Sequence, residues 1–296
     1  AVMGIITATT IGFVAGILRL SNNWLISRTV TVYVEFTRNV PVLLQIIFWW
    51  VTLTNLPKVQ SSLSINQVIF LNNRGVRLPS PIFNDGFIWI TILALICLAL
   101  SFFLARWARQ RKLSTGQTFP VFWACLGIML LPSVSLYFLL GQPLDWEIPE
   151  RTRFNFRGGF NMTPELVALW WALSTYTGSF ISEIVRSGIL SVNKGQVEAA
   201  QALGLRPNTT MKRIIIPQAL RVIIPPLTSQ HLNLTKNSSL AVAIGYQDLV
   251  SIGGTVLNQS GQAIEVVAIW MVVYLSLSLG TSAFMNWYNR HIAIVE

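Results

Sequence analysis

Long apolar runs alternate with shorter polar segments along this chain. The runs approach the roughly 20 residues a helix needs to cross a bilayer. Seven spans are expected, at 1–20, 40–56, 87–108, 119–141, 163–187, 219–244 and 264–284. The fifth is less apolar than its neighbours. The sixth is polar and interrupted, and Pro225-Pro226 is expected to break it near its start as a gating bend. The segments 57–86 and 142–162 are rich in Pro, Gly and Asn, and read as ordered loops or short interfacial helices. Neither a heptad pattern nor an internal repeat is visible. A single transmembrane domain over 1–296 is therefore expected, all-α and polytopic.

Composition strengthens this reading. Of 296 residues, 53% are hydrophobic and only 11% charged, with mean hydropathy +0.57. Soluble domains carry about 25% charged residues. The net charge of +10 has its origin in the loops. Arg19, Arg28 and Arg38 stand against Glu35 in one, and RQRKLSTGQ forms a second. Arg186, Lys194, Arg206, Lys212, Arg213 and Arg221 stand against Glu183 and Glu198 in a third. These loops alternate to one side, which the positive-inside rule makes cytoplasmic. On the opposite side, 57–86 carries Lys58, Arg74 and Arg77 against Asp85, and 142–162 balances Arg151, Arg153 and Arg157 with Asp145, Glu147 and Glu150, so the basic bias favours the first set. The basic excess thus reports topology rather than nucleic-acid binding. The chain starts inside an apolar run without an initiator Met, so an N-terminal portion is expected to be missing. It lacks the basic region and cleavage site of a signal peptide.

Catalytic chemistry finds no support. Cys97 and Cys125 lie inside apolar runs and read as packing residues. His231 and His291 are isolated, so no metal site is expected, and no phosphate-binding G-x-x-x-x-G-K-[ST] loop occurs. The chain is expected to bind no cofactor.

One polar stretch stands out, EAAQALGLRPNTTMKRIIIPQAL over 198–220. Asn208 or Thr209 can cap a helix, and Pro217 cannot donate a backbone hydrogen bond, so the chain is expected to kink there. Val197, Ala200 and Leu203 or Gly204 recur at helical spacing. Small side chains make a slim helix, and Gly204 permits a tight turn after it. The residues alone fit either a connector or a docking element. Glu198-Ala199-Ala200, Gly204, Ile214 and Ile216-Pro217 at these spacings resemble the EAA signature of ATP-binding-cassette importer permeases. Ile216 stands where that family has leucine. TVYVEFTRNVPVLLQIIFWW, TYTGSFISEIVRSGILSVNKGQVEAAQALGL and IIPPLTSQHLNLTKNSSLAVAIGYQDL are similar to the polar amino-acid uptake family. The likeness covers most of 1–56 and 163–285. The block 57–162, with two added spans and two external loops, resembles the larger general L-amino-acid permease branch.

The resemblance implies a type I importer permease fold and no catalysis in this chain. ATP and Mg would be bound by a separate cytoplasmic ATPase subunit pair. A second permease subunit, identical or homologous, and an extracytoplasmic amino-acid-binding protein would complete the system in the bacterial inner membrane. The loop 189–218 and the C-terminus would be cytoplasmic. Val197, Glu198, Ala199, Ala200, Ala202, Leu203, Gly204, Leu205 and Pro217 would couple the chain to the ATPase.

Polar groups within spans are candidates for a substrate path. Lys236 is the clearest, with Asn233, Asn237 and Ser238 beside it. An ammonium there can pair with a substrate carboxylate, snorkel to the interface or pair with Glu183. Glu183 can form an intrahelical pair with Arg186. Gln45, Tyr176 and Ser179 can face substrate or join helices. An ion-gradient transporter is the alternative class, but it needs carboxylates deep in the membrane, and Glu183 and Glu265 fall near span ends. A membrane enzyme would need a catalytic cluster that the chain does not offer.

Overall fold

A computed structural model describes residues 1–117, 119–152 and 155–292. Arg153, counted above in the loop charge, the side chain of His291 and the C-terminus lie outside the described residues. The chain divides into two compact units: 1–61 with 71–76 and 162–296, and 62–70 with 77–161.

The first unit is helical. It begins with α1 (Val2–Leu18), α2 (Trp24–Asn39) and α3 (Val42–Thr54). The stretch 21–39, expected as a loop, is the helix α2, whose first amides bond the Asn23 side chain. Pro41 ends it, because the residue before a proline is pushed out of the helical region. The chain turns by 105° into α3. Farther along come α6 (Pro164–Leu190), α7 (Lys194–Ala202), α8 (Pro207–Thr210), α9 (Ile216–Asn237), α10 (Leu249–Ser260) and α11 (Ala263–Ile292).

The expected break at Pro225-Pro226 is not there: α9 runs through both prolines. Each proline removes one ladder bond, and the flanking turns hold. The conformational change comes later. Residues Ser238–Ile244 tighten into a 3₁₀ helix, and Gly245 ends it with φ +73°.

The core of this unit is built on α6. Gly4, Ala8, Gly12 and Gly16 recur every fourth residue on α1 and are all buried. They meet a matching stripe of Ser174, Gly178 and Ser182 on α6, also buried. The two helices run parallel, since Thr7 meets Ser174, Gly12 meets Ile181 and Gly16 meets Val185. Small residues let backbones approach closely, the main source of helix association in lipid. On its other sides α6 packs with α3, α9 and α2. Gly188 touches Ile223 of α9, and Trp171 meets Trp49 of α3 edge to face at 6.2 Å.

The second unit joins two long helices to a small β structure. Helix α4 (Phe87–Thr115) packs against α5 (Val121–Leu139). The basic segment RQRKLST, expected as a connector, extends α4 by two turns and stops at Gly116 with φ +72°. Arg, Gln, Lys and Leu are strong helix formers, so only the glycine ends it. The segments expected as loops or interfacial helices carry short strands instead. Ser80–Phe83 pairs antiparallel with Leu144–Glu147, and Glu150–Arg151 with Phe156–Arg157. In SLSINQVIFLNN, Leu63 and Ile65 alternate with serines, and the apolar run 68–71 is bounded by Asn66-Gln67 and Asn72-Asn73, both patterns that short strands use.

Three described helices are long and apolar enough to cross a bilayer: Phe87–Thr115, Val121–Leu139 and Ala263–Ala283. Counting each of two bent pairs as one span gives five. The expected seven is higher because α1 is short, with 17 residues, and α6 carries many polar residues, several of them buried.

Candidate functional site

The 189–218 loop is built from two helical pieces around one glycine. Asn193 caps α7 by accepting from the Gly195 amide at 2.8 Å. The helix is nine residues long, and among its residues only Ala200 is buried, with Val197 half-buried. Glu198, Ala199, Gln201 and Ala202 are exposed. The helix closes with the Gly204 amide on the Gln201 carbonyl and the Leu205 amide on that of Ala200. Gly204 has φ +69°, and a Cβ there would meet nothing within 4 Å. On either side Leu203 and Leu205 are 79% and 38% exposed. Exposed leucines flanking a turn are a liability unless something covers them.

Asn208 and Thr209 do not cap the next helix as expected. Arg206 occupies the N-cap position without a side-chain bond, and Pro207 opens α8. Its missing amide costs nothing in a first turn. A π-helical turn, Met211–Ile215, then joins α8 to α9, with the Ile216 amide bonded to the Met211 carbonyl. Pro217 stands at the start of α9, so the chain widens ahead of it rather than kinking sharply. The Gln218 side chain returns one bond to the Ile214 carbonyl at 3.1 Å.

The expected substrate-path residues are not gathered into one cluster. Gln45 donates to the carbonyls of Thr37 and Val40, both at 2.9 Å, and so satisfies the open end of α2 at its bend into α3. Tyr176 is half-buried, its ring 5.0 Å from that of Phe180. Ser179 is buried and donates to the Tyr176 carbonyl at 2.6 Å. Asn233 and Lys236 are exposed on α9, Asn237 is half-buried, and Ser238 donates to Thr235 at 2.7 Å.

Lys236 does not pair with Glu183. That carboxylate bonds Arg186 at 2.6 Å, as its spacing suggests, and also Arg19 of α1 at 2.5 Å, with Arg38 of α2 at 3.9 Å. Arg19 lies 3.9 Å from Glu35 as well, and its side chain is only 7% exposed. Glu183 of α6 thus ties together the C-terminal ends of α1 and α2, and Arg38 lies over the Phe180 ring at 5.2 Å. Long-range contacts of this kind leave no mark in local spacing. The same holds for Thr7, which bonds Ser174 and accepts from the Trp170 indole at 3.1 Å, and for Thr9, 2.9 Å from His231 Nε2.

A cavity of about 510 Å³ opens at the α2–α3 bend, walled by Tyr33, Phe36, Phe48, Trp49 and Trp171. Most of its polar side chains are already engaged: Tyr33 donates to the Thr175 carbonyl at 3.0 Å, Thr175 to the Trp171 carbonyl at 2.8 Å, and Gln45 as described. The rest of the wall is mainly apolar.

Comparison with known proteins bears on this arrangement. The family described as "Binding-protein-dependent transport system inner membrane component" matches residues 105–294, which include the whole 189–218 loop. The chain is 53% identical over 297 residues to the general L-amino acid transport system permease protein AapQ of Rhizobium johnstonii, covering 100% of this chain and 74% of that one. It is 51% identical to the putative amino-acid ABC transporter permease protein YhdX of Escherichia coli, covering 99% and 75%. It is 42% identical to the glutamate/glutamine/aspartate/asparagine transport system permease protein BztB of Rhodobacter capsulatus, covering 95% and 73%. A crystal structure of an amino acid ABC transporter with histidines superposes with TM-score 0.56 at 17% identity, covering 98% of this chain and 87% of that one. At that identity the likeness concerns the fold, which is that of the type I ABC importer permeases. The ion-gradient alternative is set aside. This is a multi-pass permease subunit, and identity above one half along the whole of this chain, joined to the profile match, shows that the chain belongs to the family of binding-protein-dependent transport system inner membrane components.

Proposed function

We propose that this chain carries amino acids across the inner membrane as one of two permease subunits, and that residues 197–205 with Pro217 couple it to a cytoplasmic ATPase pair. The observation that supports this most is α7 itself. It is a short, exposed helix ending in a left-handed glycine between two uncovered leucines. A slim surface of that kind suits a groove on a partner. ATP and Mg belong to the ATPase, and an extracytoplasmic binding protein delivers the substrate. The substrate class rests on the names of the relatives, all amino-acid permeases. The loop charge supports a cytoplasmic 189–218 segment and C-terminus. Alternating access would then follow from rocking of the helices that α7 leads into.

Substitution at Gly204 tests the coupling role. Open space surrounds that position in the isolated chain, so a leucine meets a steric obstacle only in a partner. The left-handed backbone adds about 1–2 kcal/mol of local strain, and Gly204→Ala, which bears that strain with a single methyl group, controls for it. Gly204→Leu is expected to lose copurification with the ATPase subunit while expression and membrane insertion hold, and Gly204→Ala to keep it. If Gly204→Leu retains the ATPase at the wild-type level, the loop is not the dock. Uptake of radiolabelled amino acids into proteoliposomes with the ATPase and binding protein tests the substrate class.

A further inference from the structure

The β structure of the second unit encloses a cleft of about 900 Å³. Its charges are disposed in an unusual way. Glu150 and Arg157 stand directly opposite each other across the antiparallel pair Glu150–Arg151 and Phe156–Arg157. Opposed residues in such a pair project to the same face, with Cα atoms about 4.5–5.5 Å apart. Both side chains line the cleft and are exposed. Neither makes an ion pair or a side-chain hydrogen bond among the described residues.

The other charged side chains of the cleft already make contacts within the protein. Glu147 accepts from the Ser80 hydroxyl at 3.1 Å and the Gly159 amide at 3.2 Å, both through Oε2, and Arg151 already has a partner. Glu150 and Arg157 are a carboxylate and a guanidinium that make no such bond, and they stand side by side. The frame that holds them is fixed. The Thr152 amide and hydroxyl both bond the Asn155 carbonyl, at 2.8 and 2.7 Å, closing the hairpin. Beneath it Phe156 is buried against Phe70, ring centroids 4.7 Å apart. Phe70 and Trp146 supply the apolar wall.

We infer that this cleft of the second unit is a capture site for a free zwitterionic α-amino acid. Arg157 receives the carboxylate, in the fork geometry guanidinium offers. Glu150 accepts from the α-ammonium. The two charges of the ligand sit on one carbon, which suits a pair of side chains rooted on opposed positions. The side chain of the ligand lies toward Phe70 and Trp146. The choice of an amino acid among zwitterions rests on the proposed function. Both charged groups stay partly in water, so affinity is weak, and the site raises the local concentration of substrate rather than selecting it.

The test uses the purified full chain in nanodiscs with L-glutamine as probe, read by saturation-transfer NMR. N-acetyl-L-glutamine, which lacks the ammonium, is the control ligand. Wild type is expected to bind L-glutamine and to bind the acetylated form at least tenfold more weakly. Glu150→Gln and Arg157→Gln are each expected to weaken L-glutamine binding by on the order of tenfold, since a charge-assisted bond is lost. Both positions are exposed, so the variants should keep the wild-type melting profile. ATP-driven uptake through the binding protein, measured in parallel on the assembled complex, separates the two ideas. Uptake by wild type with no direct glutamine binding overturns the capture site and leaves the proposed function standing. Direct binding that both variants retain, or that acetylation does not weaken, also overturns it. Direct binding lost in both variants supports the site even if the complex carries no amino acid, an outcome that would count against the proposed function alone.

Discussion

Replacing Gly12 by alanine should cost this protein more than most single methyl groups do. A Cβ at Gly12 would lie 2.4 Å from Ile181 Cγ2, 2.5 Å from Ile181 Cβ and 3.0 Å from the Gly178 carbonyl oxygen. Ordinary carbon contacts need about 3.5–4.0 Å. Ile181 is fully buried and β-branched, so its Cβ cannot swing aside. The helices α1 and α6 must therefore separate by about 1 Å, a distance set by the difference between the found and required contacts. Overpacking of this size costs about 1–3 kcal/mol. Separation also lengthens the Thr7–Ser174 bond and the indole bond from Trp170, for which membrane hydrogen bonds contribute about 0.6 kcal/mol each. The total is about 2–4 kcal/mol.

The rescue pattern is more discriminating than the loss. Ile181→Ala leaves the Cβ in place at 2.5 Å and should relieve little. Ile181→Gly removes it, and although loss of this buried side chain is itself costly, Gly12→Ala should cost much less in the Ile181→Gly background than in the wild type, a coupling read from the double-mutant cycle. Gly254 serves as a control, because an added Cβ there meets nothing within 4 Å in a helix. Gly254→Ala should be neutral or slightly stabilising. The assay is thermal stability in detergent, read as the monodisperse peak surviving a heat step. If Gly12→Ala matches wild type, or if Ile181→Ala rescues as well as Ile181→Gly, the close α1–α6 contact is not what holds these helices.

Two further changes probe the polar contacts. Glu183→Gln leaves the buried Arg19 without a full counter-charge, and Glu183 is itself part-exposed, so a loss of about 2–3 kcal/mol is expected in the same heat assay; an Arg19→Met/Glu183→Met pair should lose less than the sum of its single changes, and strict additivity would deny the pairing. Gln45→Leu strands the Thr37 and Val40 carbonyls at the α2–α3 bend, at a cost of about 1–3 kcal/mol; the bend should also loosen, seen as faster amide exchange at 37–45, and unchanged exchange there would refute the capping role.

The sequence made legible what is local. Apolar run length revealed α4, α5 and α11, and the spacing of Glu183 and Arg186 foretold their pair. Gly204 was readable as a turn because few residues other than glycine take φ +69° cheaply. The loop at 198–220 carried a long, multiply anchored motif, so its family was visible before any coordinates. Two kinds of error have physical causes. Pro225-Pro226 looked like a break because each proline deletes a hydrogen bond, yet α9 remains helical through both, with Ala219, Ile223 and Leu234 anchored in the core on either side of them. Core contacts before and after the prolines offset the two missing bonds. The outer segments were misjudged because Pro and Gly obscured a period of two that only short strands use.

The substrate path is the harder case, and the reason is instructive. A polar side chain in a membrane span has two uses that look identical in a sequence: it can meet a substrate or satisfy another helix. Gln45, Ser179 and Glu183 turn out to be engaged within the protein. Lys236 is exposed and makes no ion pair among the described residues, so its charge is open to partners beyond this chain. If the permease works as a pair, as proposed, a path formed where two subunits meet would draw on residues left unsatisfied in each one. By that criterion Lys236, with the exposed Asn233 a turn before it, outranks the residues whose polarity is already spent inside the fold.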